Sequence, residues 1–312
     1  MPATSRPKNL VVAINPSASF GASRDVGPAV VQTLRAMGHE VTSLTEPDFE
    51  QLLASARAAV KKRPDALIMV GGDGMVNLGA NLVAGTRVPL GIIPSGTGND
   101  MSRGLGIPHD DTEAAMRTLD AALAAGPRTI DAGRISWTDA ATGEKGERWF
   151  ACSLSAGFDA IVNERANAMR HPKGPSRYIL ALLAELARLK PISYRLVLDG
   201  EPIETKAVLV AIGNGVSLGG GMKITPDALP DDGLFDVLMV KPLSRIAFLR
   251  IFPRVFAGTH VSDPRVRIVR AKKVRIEADV PLVAYGDGER IAPLPLDVEV
   301  VPGALRVLSP LP

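Results

Sequence analysis

One cysteine, Cys152, in 312 residues excludes an internal disulfide and leaves no zinc site built on clustered cysteines. That usage fits a reducing cytoplasm. The opening Met1-Pro-Ala-Thr-Ser-Arg-Pro-Lys lacks the apolar region of a secretory signal, and no uncharged apolar run approaches bilayer-spanning length. The expectation is therefore a cytoplasmic protein, peripheral at most to the inner membrane face. Nothing has the density of positive charge that reads nucleic acid, so a nucleic-acid partner is not expected. Gly-x-x-x-x-Gly-Lys-Ser/Thr is missing, which removes the P-loop, and so is Gly-x-Gly-x-x-Gly, which leaves a dinucleotide fingerprint unsupported.

What the chain has is an ordinary globular composition, 46% hydrophobic and 22% charged, with a net charge of +3. Its length suggests two domains. The charge is uneven: residues 133 to 292 carry the basic surplus, while the remainder is slightly acidic. The basic half is the one that would face anionic lipid.

The first 135 residues alternate strands and helices. Asn9–Ile14, Glu40–Leu44, Asp65–Val70 and Pro89–Ile93 read as aliphatic strands. Val26–Met37, Glu50–Lys62, Met75–Val83 and Ala114–Ala124 carry helical spacing, and Gly38 sits where the first helix would stop. Such alternation implies right-handed crossovers and a parallel sheet, whose ligands lie at the carboxyl ends of the strands. Two glycine loops fall on that edge. Gly71-Gly72-Asp73-Gly74 follows the third strand, and Pro94-Ser95-Gly96-Thr97-Gly98-Asn99-Asp100 follows the fourth. Glycines at such exits let backbone amides approach an anion closely, so a phosphate is the expected guest. Asn15-Pro16 to Gly21 is a third loop on the same edge, and Arg128 to Ile135 reads as a linking strand containing Asp131.

Beyond residue 135 the periodicity changes. Trp149–Ser155, Tyr194–Leu198, Thr205–Ile212, Leu234–Val240, Val266–Val269, Lys273–Ala278 and Leu296–Val300 read as strands, with Asp199-Gly200 a hairpin signal. This half is mainly β and sandwich-like. Two helices interrupt it. Ser176–Leu189 sets Ile179, Leu182, Leu183, Leu186 and Leu189 on one face, and a helix from Ser244 to about Phe256, weakened by Pro253, is read as facing the core in preference to a membrane interface.

Taken in order, these motifs resemble the diacylglycerol kinase catalytic domain family, which includes YegS-like, sphingosine and ceramide kinases. The likeness continues through Ser155-Ala156-Gly157-Phe158, Gly219-Gly220-Gly221, Pro226 to Asp236 and Asp287-Gly288-Glu289. Gly-Gly-Asp-Gly alone is shared with the NAD kinases and the phosphofructokinase-like group; the later motifs distinguish the chain from them. The resemblance implies an amino-terminal Rossmann-like three-layer α/β domain for ATP (1–132), a β-sandwich-like lipid domain (133–292) and a carboxyl-terminal strand returning to the first (293–312), with the active site in the cleft between the domains.

It implies an ATP-dependent kinase with magnesium, acting on a lipid hydroxyl. Asn15, Gly71, Gly72, Asp73, Gly74, Ser95, Gly96, Thr97 and Asn99 match nucleotide positions, with Thr45 beside them. Asp232, with Leu234, matches a magnesium position linked through water to Asp100 and Asp131. Asp287 matches the general base and Glu289 its partner. Such carboxylates suit phosphoryl transfer, which needs charge neutralised on the phosphate and a group to take the hydroxyl proton. Each also has a plainer reading: Asp287-Gly288 as a hairpin turn, Asp231-Asp232-Gly233 as a metal-free loop, Asn99-Asp100 as a helix cap. Two positions depart from the family pattern, Met75 for threonine and Leu78 for glutamate. Leu78 keeps open a lipid- or nucleotide-binding relative without catalysis, and a soluble-substrate kinase of the NAD kinase kind stands as a third reading. A monomer and a homodimer are both compatible with the sequence.

Overall fold

The computed structural model describes residues 6–15, 25–139, 142–169, 171 and 175–311. The loop expected at Pro16 to Gly21 lies outside these residues. The chain divides into two compact units, Met1–Ala132 with Pro302–Pro312, and Gly133–Val301.

The first unit runs β1 (Asn9–Ile14), α1 (Val26–Ala36), β2 (Glu40–Leu44), α2 (Phe49–Lys61), β3 (Ala66–Gly71), α3 (Asp73–Val83), β4 (Leu90–Pro94), α4 (Asp100–Gly104) and α5 (Thr112–Ala125). Its strands lie parallel in the order β2-β1-β3-β4, and the end of the carboxyl-terminal strand (Leu296–Leu308) adds beside β4 through Val307 and Leu308. Strands β3 and β4 are wholly buried, as continuous apolar runs in a parallel sheet should be. Their core includes Leu10, Val12, Ile68, Val70 and Ile93, with Val30 and Leu34 of α1 and Met116 and Leu119 of α5.

The second unit begins within β5 (Arg128–Thr138) and continues through β6 (Lys145–Phe150), β7 (Ser153–Gly157), α6 (Phe158–Ala168), α7 (Pro175–Ala187), β8 (Ile192–Leu198), β9 (Glu201–Ala207), β10 (Leu209–Gly213), the short pair β11 (Ser217–Leu218) and β12 (Met222–Lys223), β13 (Phe235–Val240), α8 (Arg245–Ile251), α9 (Arg254–Ala257), β14 (Val266–Ala271), β15 (Lys273–Ala278), β16 (Val283–Gly286), β17 (Glu289–Pro293) and β18 (Leu296–Leu308), the last ending in the first unit. One sheet has the order β14-β13-β10-β7-β16-β17, and the other pairs β18-β15-β8-β9. Their inner faces share one core, to which β8 contributes Tyr194, Leu196 and Leu198 at a period of two.

Three expectations need correcting. Thr205–Ile212 is not one strand: the chain changes sheets at Val208, so β9 pairs with β8 while β10 pairs with β7 and β13. Trp149–Ser155 is likewise broken, at Ala151–Cys152, by a carboxylate described below. The helical stretch from Ser244 splits at Pro253 into α8 and α9, and its face is not simply core-directed. Phe248 and Phe252 stack at 5.5 Å and Val255 is buried, whereas Ile246, Leu249 and Phe256 are exposed. On α7, Leu186 is buried but Ile179 and Leu183 face solvent with Leu180.

A Cβ on Gly133 would lie 2.0 Å from Phe150, a fully buried ring stacked on Phe235. Gly133→Ala is expected to lower stability by about 1–3 kcal/mol through overpacking, read as a lower urea midpoint.

Candidate active site

Register brings the two glycine loops side by side. Strands β3 and β4 pair residue for residue up to Gly71 against Pro94, so both chains leave the sheet at the same level. Ser95 N–H then donates to the Gly71 carbonyl at 3.0 Å, and Asn15, leaving β1, donates its N–H to Val70 at 3.2 Å. Asn15, Gly71 to Gly74 and Ser95 to Asn99 therefore form one edge, at the carboxyl ends of three adjacent strands. Thr97 and Gly96 are exposed on it; Thr45 is exposed at the end of β2, with its hydroxyl 3.2 Å from that of Ser43.

Glycine is required here for a reason beyond ligand approach. A Cβ on Gly96 would sit 2.4 Å from the Gly72 Cα, and one on Gly72 3.0 Å from the Gly96 Cα. The two loops touch backbone to backbone. A Cβ on Gly71 would meet the Met75 side chain at 2.4 Å, so Met75 fills the space under the loop. Leu78, one turn further along α3, is buried, and an apolar side chain suits that position.

Asp73 binds one loop to the other. Its carboxylate oxygens accept from the N–H groups of Asn99 at 2.9 Å and Asp100 at 2.7 Å, capping α4 from a distant segment. Burial raises its pKa, against those two hydrogen bonds, and the nearby Asp100 raises it further. Asn99 itself is left-handed, φ 54°, and its side chain closes back on Gly96: the amide oxygen accepts from Gly96 N–H at 3.2 Å and the NH2 donates to Gly96 O at 2.9 Å. The cap expected from Asn99-Asp100 thus comes from Asp73, and Asn99 shapes the loop.

In the second unit Asp287 and Gly288 form the turn between β16 and β17, both with positive φ, 48° and 82°. Asp-Gly supplies that turn chemistry. The Asp287 carboxylate accepts from three successive N–H groups, Ala151 at 2.7 Å, Cys152 at 2.9 Å and Ser153 at 2.9 Å. These amides are drawn out of the β-ladder, which is why the strand expected across Trp149–Ser155 breaks there. Glu289 faces Gly286 across the turn and is exposed.

A second set of residues, not anticipated from sequence, holds the same hairpin to α6. Tyr285 donates its hydroxyl to Glu164 at 2.5 Å, Arg290 donates to Glu164 at 2.9 Å, and Asn167 donates to the Tyr285 oxygen at 3.3 Å. The Tyr285 bond, with help from Arg290, holds Glu164 below its ordinary pKa; burial and Glu164 push Tyr285 up to about 12. The only sequence signal was a helix-spaced Glu164 and Asn167, too common to single out.

The carboxylates expected to organise a metal are engaged otherwise. Asp232 accepts from Leu234 N–H at 3.0 Å and pairs with Arg270, which also reaches Asp236 at 3.3 Å. Burial, and then Asp227, raise the pKa of Asp236. Asp131 is buried and accepts from Gly303 N–H at 2.9 Å, and Asp100 is buried at the start of α4. Among the described residues no three His, Cys, Asp or Glu side chains group as a metal site. Asp232 is thus ion-paired with Arg270, with Leu234 N–H on its other side.

Two predictions follow from these contacts. Asp287→Asn turns an NH2 toward at least one backbone donor, so it is expected to cost about 1–3 kcal/mol of stability, seen as a lower melting temperature in addition to any effect on turnover. Glu164, with its folded pKa depressed, contributes stability that is present above its unfolded value of about 4.3 and is lost as pH falls through the lower folded value. Glu164→Gln should flatten that acid limb of the stability–pH curve.

Comparison with known proteins agrees with this arrangement. The diacylglycerol kinase catalytic domain family matches residues 9–135, and the YegS C-terminal NAD kinase beta sandwich-like domain matches residues 152–309. A diacylglycerol kinase of Mycobacterium tuberculosis (strain H37Rv) is 41% identical over 297 residues, 95% of this chain and 93% of the relative. Among solved structures, a putative diacylglycerol kinase from Bacillus anthracis superposes with a TM-score of 0.74 at 23% identity, covering 98% of each chain. Yeast NADH kinase complexed with NADH superposes at 0.59 with 12% identity, over 97% of this chain and 83% of its own, a likeness of fold. A parallel α/β unit ending in two interlocked glycine loops, a β-sandwich carrying the Asp-Gly hairpin, and a relative this similar along nearly the full length place the chain in the diacylglycerol kinase family.

Proposed function

We propose that the protein is an ATP-dependent lipid kinase that transfers the γ-phosphoryl group to a hydroxyl of a lipid such as diacylglycerol. The observation that carries this reading is the joined pair of glycine loops, Gly71–Gly74 and Pro94–Asp100, at the carboxyl edge of a parallel sheet. Backbone N–H groups there suit a phosphate chain, with Asn15, Ser95 and Thr97 as neighbouring polar contacts and Thr45 further out. In this reading Asp73 acts by holding the loops in register rather than by touching the transferred group. Its carboxylate is already taken by the amides of Asn99 and Asp100.

Asp287 is the group for the acceptor hydroxyl. Phosphoryl transfer through a loose transition state asks more of positioning than of proton abstraction. A carboxylate fixed by three backbone N–H groups, on a hairpin clamped by Glu164, is suited to orient a hydroxyl in line and to receive its proton as the new P–O bond forms. Glu289 is its neighbour across the turn. A kinase of this family uses a divalent metal with ATP; because Arg270 occupies Asp232, no step is assigned to a metal at that position.

The lipid reading has its own support in the second unit. Phe158, Leu182, Leu238, Phe248, Ile251 and Val255 line an apolar cavity of about 80 Å3 behind α7 and α8. The outward faces of α7 to α9 expose Ile179, Leu183, Ile246, Leu249 and Phe256, and residues 244–257 hold three arginines and no acid. We assign to that face a peripheral contact with an anionic bilayer.

With magnesium-ATP and mixed micelles the purified protein is expected to phosphorylate diacylglycerol. Gly96→Val should reduce turnover by at least about a hundredfold, since a wrongly placed phosphate site forfeits most of the positional advantage. Absence of lipid-dependent ADP release across a panel of lipid alcohols would overturn the kinase assignment. Ile246→Glu with Leu249→Glu should weaken flotation on phosphatidylglycerol vesicles while leaving micellar turnover near wild type.

A further inference from the structure

At the amino ends of β3 and β4, opposite the glycine loops, lies an open groove of about 930 Å3. Arg57 and Lys61, one turn apart near the end of α2, line it with Arg63, Arg87 and Arg306. All five are exposed, and among the described residues none makes an ion pair or a side-chain hydrogen bond. One acid lines the groove, Asp65, and its carboxylate accepts from Asn9 N–H at 2.8 Å. Some surface arginines are paired with acids, as Arg134 is with Glu299 and Arg275 with Asp297. Here five like charges stand together without one.

The carboxyl end of α2 accounts for part of this. A helix end carries roughly half a negative charge and favours a cation in its last turn, which explains Lys61 but not five full charges. Arg63 is the more telling residue. It sits just past α2 with φ at 55°, a left-handed position where glycine is the usual occupant, and its N–H closes on the Val60 carbonyl at 2.9 Å. An arginine there costs backbone strain that a glycine would not. The volume is within the range of small-ligand pockets, roughly 300–1,000 Å3, and guanidinium groups are suited to phosphate oxygens.

We propose that this groove is a second anion site, taking a ligand with several phosphate charges, distinct from the glycine loops at the other end of the same strands. The site does not depend on the kinase reading. The shared chemistry is clustered phosphate oxygen, whether from a soluble polyphosphate or from phospholipid headgroups.

The test titrates the full chain calorimetrically with sodium triphosphate at low and high salt, and floats it on phosphatidylglycerol vesicles. In Arg63→Gly/Arg87→Glu the groove event should weaken by about tenfold or more, as expected for one charge removed and one reversed near a surface. The melting temperature of Arg63→Gly alone should hold or rise, which a purely structural arginine would not allow. Gly96→Val should leave the groove event intact, so a failure of the glycine-loop site is told apart from a failure of this one. Lys206→Glu, exposed in the other unit, should change neither. Loss of triphosphate binding in the double variant identifies a soluble ligand. Loss of flotation without any triphosphate binding identifies a headgroup. If the double variant binds triphosphate and vesicles like wild type, or if Lys206→Glu weakens them equally, the proposal is overturned.

Discussion

The first unit depends on one close approach, the backbone of Gly72 against that of Gly96. Two loops that leave adjacent strands at the same level can either splay or interlock, and the missing Cβ atoms allow the second. Asp73 then fixes the interlock by taking the amides of Asn99, which precedes α4, and Asp100, its first residue. Its raised pKa reflects the cost of burying a carboxylate for that purpose, partly offset by the amides it accepts. A fixed edge is the result, and it is assembled from backbone more than from side chains.

The second unit uses a carboxylate in the same manner. Asp287 gathers three consecutive amides and so bends the chain between β6 and β7, while Glu164, Tyr285 and Arg290 tie its hairpin to α6. In both units an aspartate beside a glycine turn organises backbone first, and any chemistry inherits that fixed geometry. Asp232 follows the same habit through a side chain, since Arg270 pairs with it. Asp73, Asp232, Asp236 and Asp287 are each matched to a donor near them.

Much of the fold was legible because the parallel sheet announces itself. Strands β1 to β4 are uninterrupted aliphatic runs, the helices between them have clear starts and stops, and both glycine loops fall where a parallel sheet exposes its ligand edge. The second unit was less legible. The crossing at Val208 carries no glycine or proline, since the sheet change is imposed by partners on either side and not by local propensity. The break at Ala151–Cys152 was hidden for a stronger reason: its cause is a carboxylate 136 residues away in sequence. The exposed apolar residues of α8 and α9 were not foreseen because periodicity gives the width of a stripe and not what covers it. Family motifs located Asp287 and Asp73, but only coordinates could say that their oxygens meet amides.

The carboxyl-terminal strand has a consequence for synthesis. Val307 and Leu308 pair with β4, Gly85 donates its N–H to the Ala304 carbonyl, and Gly303 donates to Asp131 from 172 residues away. Residues 1–132 therefore emerge from the ribosome with β4 as a raw edge, an uncovered row of amides and carbonyls open to wrong pairing. The whole second unit must be translated before that edge is closed. The glycine-loop unit is begun first and finished last, so a chain cut short between residues 135 and 306 would carry both glycine loops on a sheet that had never been sealed.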